Sequence, residues 1–232
     1  MNILITGAGR GLGLDLVKIA LEHGHSVIAG VRDPRRGQDA LSGLSADYGD
    51  KLTVAALDVT DEEGIAALAA SLKEEGRALG SIVNNAAVLN ASDTPLEELD
   101  IAEMQLALDI NLYGPMRVVK HFLPLLTEPE ASIINISSEA GSITNAYPGS
   151  YPYTISKTAL NMFSQKLHVT LKERGVHVLS VHPGWMPTDM GGAKAPTSPR
   201  TSAEGIISLL EQRTAPEGHF RFVDYTGKDM EI

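Results

Sequence analysis

The chain has 232 residues, of which 43% are hydrophobic, and this length and composition predict one α/β domain around a single sizeable core. The formal net charge of -10 argues against nucleic acid or an anionic membrane surface as a partner, because both need a basic surface. The lack of cysteine excludes disulfides and thiol catalysis, and the seven histidines form no recognisable ligand motif, so we expect no metal.

The start of the chain carries no targeting pattern. The residues MNILITGAG lack both the basic region and the long apolar run of a signal peptide. No later stretch is apolar for long enough to span a bilayer. We therefore expect a soluble, cytoplasmic protein.

Seven short apolar runs rich in Val and Ile alternate with segments whose apolar residues recur at helical spacing. Such runs are typical of strands covered on both faces, and the repeated order of strand then helix predicts parallel pairing through right-handed crossovers. We predict a single Rossmann-type domain over residues 1–232, with a doubly wound sheet of about seven mostly parallel strands and helices on both faces. The predicted strands are 2–6, 26–31, 52–59, 81–86, 132–137, 176–181 and 220–223.

Three further signals mark helix ends and a loop. Thr60 with Glu63 fits a capping box, which predicts a helix start. Pro152 fits the first turn of a long helix that Gly175 would end. Residues 186–202 are rich in Gly, Pro, Ser and Thr, but a helix and the last strand follow them. We interpret this stretch as a mobile loop that could close over a ligand as a lid, rather than as a domain boundary.

The stretch TGAGRGLG at residues 6–13 follows the first predicted strand and leads into a helix. Gly7, Gly11 and Gly13 fit the pattern T-G-x-x-x-G-x-G, whereas Leu12 stands where G-x-G-x-x-G would need its last glycine. Backbone amides and a helix N-terminus at such a loop can face a pyrophosphate. Taken alone, the loop could also be a glycine turn that only packs the helix on the strand.

Further motifs follow the glycine loop in a fixed order. They are ALDVT at 56–60, NNAA at 84–87, Asn111, NISS at 135–138, YTISK at 153–157 and HPGWMPTDM at 182–190. In this order they resemble the motifs of the short-chain dehydrogenase/reductase family, and the resemblance covers essentially the whole chain. The stretches PGWMPTDMGG and SKTALNMF are most similar to the carbonyl-reductase-like branch, which includes sniffer-type and C-factor-like proteins.

The resemblance implies a set of contacts with a nicotinamide dinucleotide. It assigns the pyrophosphate to Gly7, Gly11 and Gly13, the adenine to Asp58 and Val59, the adenosine ribose to Asn85, and the nicotinamide amide to Thr188. It also implies cofactor contacts at Leu12, Ala86, Tyr153, Lys157, Pro183 and Gly184. For Asp58 the alternative is a carboxylate that caps the following helix.

The end of the second predicted strand bears on the choice between NAD and NADP. Asp33 lies about 20 residues beyond the glycines, the distance at which a carboxylate binds the ribose 2′-hydroxyl of NAD. Aligned with the family, however, the NAD-type acid falls at Val31, and Arg32 stands where NADP-type members have a base. Arg10 is the second base expected around a 2′-phosphate. We predict that NADP(H) is preferred and NAD(H) possible, although both arginines could also be solvated loop charges.

Tyr153 and Lys157 are four residues apart on a predicted helix and therefore share a face. Reduction of a carbonyl needs a general acid, and a neighbouring cation is expected to lower the pKa of a tyrosine for this task. The resemblance gives Lys157 a second role, a hydrogen bond to the nicotinamide ribose. It also implies that Ser138 donates to the substrate oxygen and that Asn111 holds a water in a proton relay behind the lysine.

Two neighbouring residues compete for these roles. Ser137 is adjacent to Ser138, and only one can face the cofactor on a strand; the family pattern I-S-S-x-x-G selects Ser138. Tyr151 is a rival phenol, but no lysine follows it four residues on. The interval from Ser138 to Tyr153 is two residues longer than the family's commonest spacing, and we expect the excess to bulge within 144–152.

Apolar and aromatic residues on the predicted loops suggest a hydrophobic aldehyde or ketone as substrate. The candidates are Ile143, Tyr147, Trp185, Met186 and Met190, each of which could instead pack in the core or under the lid. We predict an NADP(H)-dependent reductase of small carbonyl or alcohol compounds; the alternative is a non-catalytic NADP(H)-binding sensor or signalling module. A homodimer or homotetramer is expected through the apolar helices around 102–126 and 153–174.

Overall fold

The computed structural model describes residues 1–35, 38–187, 195–212 and 216–232. Seven strands form one sheet in the order β3-β2-β1-β4-β5-β6-β7, and every neighbouring pair is parallel. The predicted doubly wound sheet is therefore confirmed. The strands are β1 Asn2–Thr6, β2 Ser26–Val31, β3 Leu52–Ala56, β4 Ser81–Asn84, β5 Ser132–Ile136, β6 His177–His182 and β7 Phe222–Asp224.

The helices cover both faces of the sheet, since successive side chains of a strand point to opposite sides. On one face, Ile3 and Ile5 of β1 belong to a core that includes Leu16 and Ile206 from two of the helices. On the other face, Leu4 belongs to a second core with residues of three other helices. The helices are α1 Gly11–Glu22, α2 Gln38–Tyr48, α3 Glu62–Glu74, α4 Ile101–Leu108, α5 Gly114–Phe122, α6 Tyr151–Leu171 and α7 Pro199–Gln212.

The long helix α6 begins and ends where the sequence predicts. Pro152 lies in its first turn, where the missing N–H of proline removes no helical hydrogen bond. After Leu171 one tighter turn follows, and Gly175 then adopts the left-handed conformation, with a φ of 71°. This helix carries the YTISK motif toward the carboxyl end of β5.

Two local predictions are wrong. Thr60 does not cap α3: the N-cap is Asp61, whose side chain accepts a hydrogen bond from the Gly64 N–H at 3.0 Å. Thr60 instead donates from its backbone and its hydroxyl to Asp58, which makes a tight turn. The third strand also stops at Ala56, three residues earlier than predicted, because the chain turns toward α3 there.

The helical segment expected around 102–126 is not continuous. A wide π-type turn, Asp109–Tyr113, separates α4 from α5. Arg117 holds this turn, since its guanidinium donates to the Asp109 carboxylate at 2.6 Å and to the Val59 carbonyl at 3.1 Å. The turn buries Asn111 completely, and turns of this kind are frequent at functional sites.

A bilayer-spanning helix is not found within the described ranges: none of their helices combines the necessary length with sufficient apolar character. 

Candidate active site

The candidate residues gather at the carboxyl ends of the central strands. The glycine loop follows β1, NNAA follows β4, and Ser138 follows β5. The N-terminal turns of α6 carry Tyr153 and Lys157 to the same edge. In open parallel sheets the ligand crevice lies at this edge, where strand order reverses on either side of β1.

The glycine loop has no room for side chains at two positions. A Cβ on Gly7 would lie 2.9 Å from the Ala86 Cα, and the φ of 65° at Gly7 disfavours any other residue. A Cβ on Gly13 would lie 2.1 Å from the Gly7 carbonyl oxygen and 2.6 Å from the Asn85 amide nitrogen. The backbone of the loop is therefore packed directly against the segment that follows β4.

Thr6, whose role the sequence pattern does not predict, joins these two segments. Its hydroxyl oxygen accepts hydrogen bonds from the backbone N–H groups of Asn85 and Ala86, at 3.0 and 3.1 Å. The Asn85 side chain donates in return to the carbonyls of Thr6 and Gly7, at 3.0 and 3.2 Å. Asn85 thus supports the glycine loop, and the threonine at the head of the glycine pattern is the sequence signal for this link.

The N-terminus of α1 suits an anionic group. Its N-cap is Arg10, whose side chain does not cap the helix, and the first turn contains no acidic residue. The first N–H groups of a helix lack partners within it, and its dipole favours negative charge at that end. Together with the glycine cradle, this end of the helix fits the pyrophosphate of a nicotinamide dinucleotide.

Basic side chains surround the end of β2. Arg10 and Arg32 are both exposed, whereas Val31 is buried in the core. Asp33, the candidate ribose carboxylate of an NAD site, accepts from the Arg35 backbone N–H at 3.0 Å and from its Nε at 3.3 Å. The side chains at this edge therefore carry a net positive charge, which suits a phosphate better than a hydroxyl.

Asp58 and Val59 lie in the turn after β3. Asp58 accepts from Thr60, as described above, and lines an open groove that Arg32 also lines. The Val59 side chain is buried against Gly114, whose added Cβ would lie 2.9 Å from it. The side chains of Arg32 and Asp58 thus lie at the groove, whereas Val59 contributes its apolar side chain to the core.

Ser138 and Tyr153 meet at the end of β5. The backbone at Ser138 is extended, and its Oγ accepts from the Ala140 N–H at 3.1 Å, which begins the short helical turn Glu139–Gly141. The Ser138 hydroxyl also hydrogen-bonds the Tyr153 phenol, an interaction that lowers the tyrosine pKa. Ser137 points elsewhere, since its hydroxyl is buried and donates to the Lys157 carbonyl. The family pattern therefore selected the serine that contacts the tyrosine.

Lys157 is almost wholly buried behind Tyr153. Its Nζ lies 5.5 Å from the centroid of the tyrosine ring and donates to the Ile136 carbonyl at 2.7 Å. Burial lowers the pKa of Lys157 to about 7, because the apolar surroundings disfavour the ammonium.

The expectation that Lys157 lowers the tyrosine pKa is wrong for this structure. Burial raises the pKa of Tyr153 to about 12, and the hydrogen bond from Ser138 only partly opposes that effect. The physical reason is burial of both groups: with a pKa of about 7, Lys157 is already uncharged at the high pH where the Tyr153 phenol would lose its proton. At neutral pH the phenol is therefore protonated.

Asn111 joins three parts of the site. Its side-chain oxygen accepts from the Val88 N–H at 2.8 Å, and its amide donates to the Val88 carbonyl at 2.9 Å. The same amide donates to the Ser156 hydroxyl, which in turn donates to the Tyr153 carbonyl. Ser156 lies within the YTISK motif, yet its role in this chain of hydrogen bonds depends on Asn111 and was not predicted.

The candidate substrate residues that the structure describes follow the carboxyl ends of β5 and β6. The side chains of Ile143, Tyr147 and Trp185 are half or more exposed, at 67%, 50% and 56%. Met186 is partly buried and packs against the core. Tyr147 is near enough to Tyr153 to raise its pKa electrostatically. Thr188 and Met190 lie outside the described residues.

The loop after β6 turns back on itself. Pro183 is buried, and a Cβ on Gly184 would lie 2.8 Å from the Thr197 hydroxyl oxygen. The Thr197 N–H donates to the Trp185 carbonyl at 3.0 Å, so the two described ends of this loop lie side by side.

The family model described as short chain dehydrogenase matches residues 1–198. The 1-hydroxy-2-glutathionyl-2-methyl-3-butene dehydrogenase of Rhodococcus sp. (strain AD45) is 32% identical over 227 residues, covering 95% of each chain. The C-signal of Myxococcus xanthus is 34% identical over 151 residues, which cover 64% of this chain and 90% of that protein.

Solved structures give the same result. The NADPH-bound carbonyl reductase from chicken fatty liver has a TM-score of 0.89 and 32% identity, covering 100% of this chain and 98% of that one. The carbonyl reductase Sniffer of D. melanogaster has a TM-score of 0.91 and 30% identity, covering 100% and 99%. The fold, the site geometry and these similarities together show that the chain belongs to the short-chain dehydrogenase family.

Proposed function

We propose that this chain is an NADP(H)-dependent carbonyl reductase in which Tyr153 is the general acid. One observation carries the proposal: Ser138, Tyr153 and Lys157 meet at the end of β5, in the crevice that the glycine loop also borders. A phenol with a hydroxyl beside it and an amine behind it can donate a proton to an oxygen in the crevice. The chain's family is one of oxidoreductases, which agrees with this chemistry.

The same proposal assigns the 2′-phosphate of NADP(H) to Arg10 and Arg32. Both are exposed at the end of β2, and guanidinium groups bind phosphate oxygens in pairs at any working pH. The NADPH bound by the similar chicken liver reductase supports this choice. NAD(H) is the weaker alternative, because Asp33 is already hydrogen-bonded to Arg35.

Bound NADPH would supply the hydride, and the chain's own residues handle the proton. Tyr153 donates its phenol proton to the substrate oxygen as negative charge develops there. Ser138 donates a hydrogen bond to the same oxygen and stabilises that charge, as half of an oxyanion hole does. Lys157, behind the phenol, would hydrogen-bond the nicotinamide ribose and so hold the cofactor beside Tyr153. Asn111 and Ser156 hold the first turns of α6 in place through the hydrogen bonds described above.

The protonated phenol of Tyr153 is the form that a carbonyl reduction uses. Its pKa, raised to about 12, keeps the phenol protonated at neutral pH, and that form can donate to an alkoxide. We propose reduction of an aldehyde or ketone as the physiological direction, because the similar proteins from chicken liver and D. melanogaster are carbonyl reductases.

The exposed apolar side chains that follow β5 and β6 favour a hydrophobic substrate. Ile143, Tyr147 and Trp185 would surround its apolar part, with Met186 beneath them. The Thr197 N–H donates to the Trp185 carbonyl, which brings the two sides of this loop together. Residues 186–202 would form the lid. Within it, Thr188 would reach the nicotinamide amide and Met190 would reach the substrate. Closure of such a lid excludes water from the reacting groups.

A signalling module without turnover is the second candidate, and the similarity to the C-signal of Myxococcus xanthus favours it. A module of this kind needs a cofactor site but has no use for an acid at the substrate oxygen. The retained Ser138, Tyr153 and Lys157 geometry therefore favours the enzyme.

NADPH oxidation across a panel of aliphatic and aromatic aldehydes and ketones tests the proposal. We expect saturable turnover with hydrophobic members and a kcat/KM that is higher with NADPH than with NADH. Saturable NADPH binding without oxidation across the whole panel would contradict the enzyme and favour the module.

We also propose that two copies of the chain associate through α4, α5 and α6. Ile155, Met162 and Val169 are exposed on α6 at intervals of seven residues, which places them on one face. Leu106 and Met116 add exposed apolar side chains from α4 and α5. Sedimentation velocity should therefore show a dimer or tetramer, and a monomer at micromolar concentration would contradict the proposal.

We propose a cytoplasmic location, where an NADPH pool can serve a reductase of this kind. Fractionation of cells that express a tagged chain tests this. The protein should follow the cytosolic enzymes, and recovery with the membranes would contradict the location.

A further inference from the structure

Helix α6 presents three buried polar side chains to the sheet, Lys157, Asn161 and Ser164, spaced four and three residues apart. This spacing places them on one face of the helix. The proposed function uses Lys157. It does not explain Asn161, which is buried in a stretch of helix where an apolar residue would avoid the cost of desolvating an amide.

Asn161 joins α6 to two other elements. Its side-chain amide donates to the Gly141 carbonyl at 3.2 Å, and its side-chain oxygen accepts from the Ser180 hydroxyl of β6 at 2.5 Å. Both ends of the amide are therefore engaged. Because Ser180 fixes the oxygen, the nitrogen must point at Gly141, which is the last residue of the turn that Ser138 begins.

That turn is held tightly between Ser138 and α6. The Gly141 N–H donates to the Ser138 carbonyl at 2.9 Å, and the Ser138 Oγ accepts from Ala140. A Cβ on Gly141 would lie 2.9 Å from the Lys157 carbonyl carbon and 3.0 Å from the Asn161 amide nitrogen. The turn that begins at Ser138 is thus joined to α6 by the Asn161 amide and packs against the Lys157 backbone.

The longer connection between Ser138 and Tyr153 is anchored elsewhere. Thr144 donates from its backbone N–H to the Ile232 carbonyl at 3.1 Å, and Ser150 donates to the Ser92 carbonyl at 3.0 Å. These contacts hold the segment to the C-terminal residues and to the β4–α4 loop. The two extra residues predicted within 144–152 can therefore be accommodated without moving Ser138 relative to α6.

We propose that Asn161 is a positioning residue, which sets the place of Ser138 relative to Tyr153 by holding the Gly141 carbonyl while Ser180 holds Asn161. The proposal rests on the function proposed above, since Ser138 and Tyr153 are the groups that Asn161 aligns. It extends the site to two residues that touch neither substrate nor cofactor.

Asn161→Leu tests the proposal, because leucine has nearly the same shape and makes neither hydrogen bond. Ser164→Ala is the matched control: its hydroxyl is equally buried on the same face of α6, but it serves Asn135 rather than Gly141. Both variants leave buried polar partners without hydrogen bonds, so both lose stability. Only the first should disturb Ser138.

We expect Asn161→Leu to lower kcat by about ten- to a hundredfold, the scale expected when a catalytic group is displaced by a fraction of an ångström. The Kd for NADPH should change by less than about threefold, since the glycine loop is not altered, and Ser164→Ala should keep near-normal kcat. In a Ser138→Ala background, Asn161→Leu should lower kcat by less than about twofold more, because the group it positions is gone. Full additivity of the two losses would overturn the proposal.

A second readout does not depend on turnover. Tyrosine isotope-labelled at the phenol carbon reports the hydrogen bond to Tyr153 by NMR, with the signal assigned from its loss in Tyr153→Phe. Ser138→Ala and Asn161→Leu should shift this signal in the same direction, whereas Ser164→Ala should not. An unshifted signal in Asn161→Leu overturns the positioning role even if wild-type turnover is absent, so the two proposals fail separately.

If Asn161→Leu does not fold, Ser180→Ala takes its place in both measurements. It removes the hydroxyl that orients the Asn161 oxygen, with a small change in volume. The phenol signal should shift in the same direction by a smaller amount, and an unchanged signal would overturn the proposal.

Discussion

The cofactor side and the catalytic side of the crevice are held together by different kinds of interaction. On the cofactor side, Gly7 and Gly13 act through the lack of a side chain, which lets backbone segments pack directly on one another. On the catalytic side, buried side chains of α6 act through hydrogen bonds, with Lys157 and Asn161 on backbone carbonyls. The first arrangement depends on space, whereas the second depends on polar groups that are costly to bury.

This difference predicts how substitutions on each side of the crevice should impair the protein. A substitution on the cofactor side should act by steric overlap, so that its effect follows the distance from an added Cβ to its neighbour. A substitution on the catalytic side should act through lost proton transfer or lost alignment, and removal of a buried charge there should even stabilise the fold.

The largest effect is expected from Lys157→Met, which tests the catalytic side. Turnover should fall by about a thousandfold, within the range for loss of acid–base function. The apo fold should become more stable at neutral pH, by on the order of a few kcal/mol, because the variant removes an ammonium that burial disfavours. Urea denaturation of both proteins measures the second effect.

The stability that Lys157→Met gains over the wild type should depend on pH. Burial lowers the Lys157 pKa to about 7 in the folded protein, below its value in the unfolded chain. Between the two values the unfolded chain binds more protons, so wild-type stability rises with pH relative to Lys157→Met. The difference should be largest near pH 7 and below, and should shrink toward about pH 10. Lys166→Met, an exposed change on the same helix, is the control; a pH-independent difference for Lys157→Met would contradict the account.

Gly13→Ala tests the cofactor side, with Gly9→Ala as a control in the same loop. An added Cβ would lie 2.1 Å from the Gly7 carbonyl oxygen at position 13, but 3.4 Å from the nearest Val31 atom at position 9. We expect Gly13→Ala to raise the Kd for NADPH by about a hundredfold and Gly9→Ala by less than about threefold. Fluorescence titration measures both, and equal effects would show that close packing does not govern the loop.

The smallest effect is expected from Arg32→Ala, since an exposed side chain contributes less than the packed loop does. The kcat/KM for NADPH should fall by about ten- to a hundredfold, the scale of charge-assisted hydrogen bonds, with little change for NADH. Asp33→Ala should leave the kcat/KM for NADH unchanged. A marked fall with NADH in Asp33→Ala would identify an NAD-type ribose site instead.

The sequence predicts the cofactor side better than the catalytic side, for a physical reason. The glycine pattern and the strands are local features, and each described strand begins and ends within three residues of its predicted bounds. Local spacing does not determine which of two adjacent polar residues becomes the N-cap of a helix. Thr60 and Asp61 both precede α3, and Asp61 is its N-cap.

Tertiary contacts account for the remaining differences. The turn Asp109–Tyr113 forms because Arg117 and Val88 hold its side chains, and neither partner is visible in the local pattern. The direction of the Tyr153 pKa shift likewise depends on how deeply the fold buries Tyr153 and Lys157. The spacing of Tyr153 and Lys157 could show that they share a face but not what else that face contacts.

The central claim, that Tyr153 is the acid in an NADPH-dependent reduction, is tested most directly by Tyr153→Phe. NADPH oxidation with the best carbonyl of the panel and NADPH affinity should be measured on the same preparations of wild type and variant. The account predicts that kcat falls by about a thousandfold while the Kd for NADPH changes by less than about threefold. Retained turnover in Tyr153→Phe would contradict it.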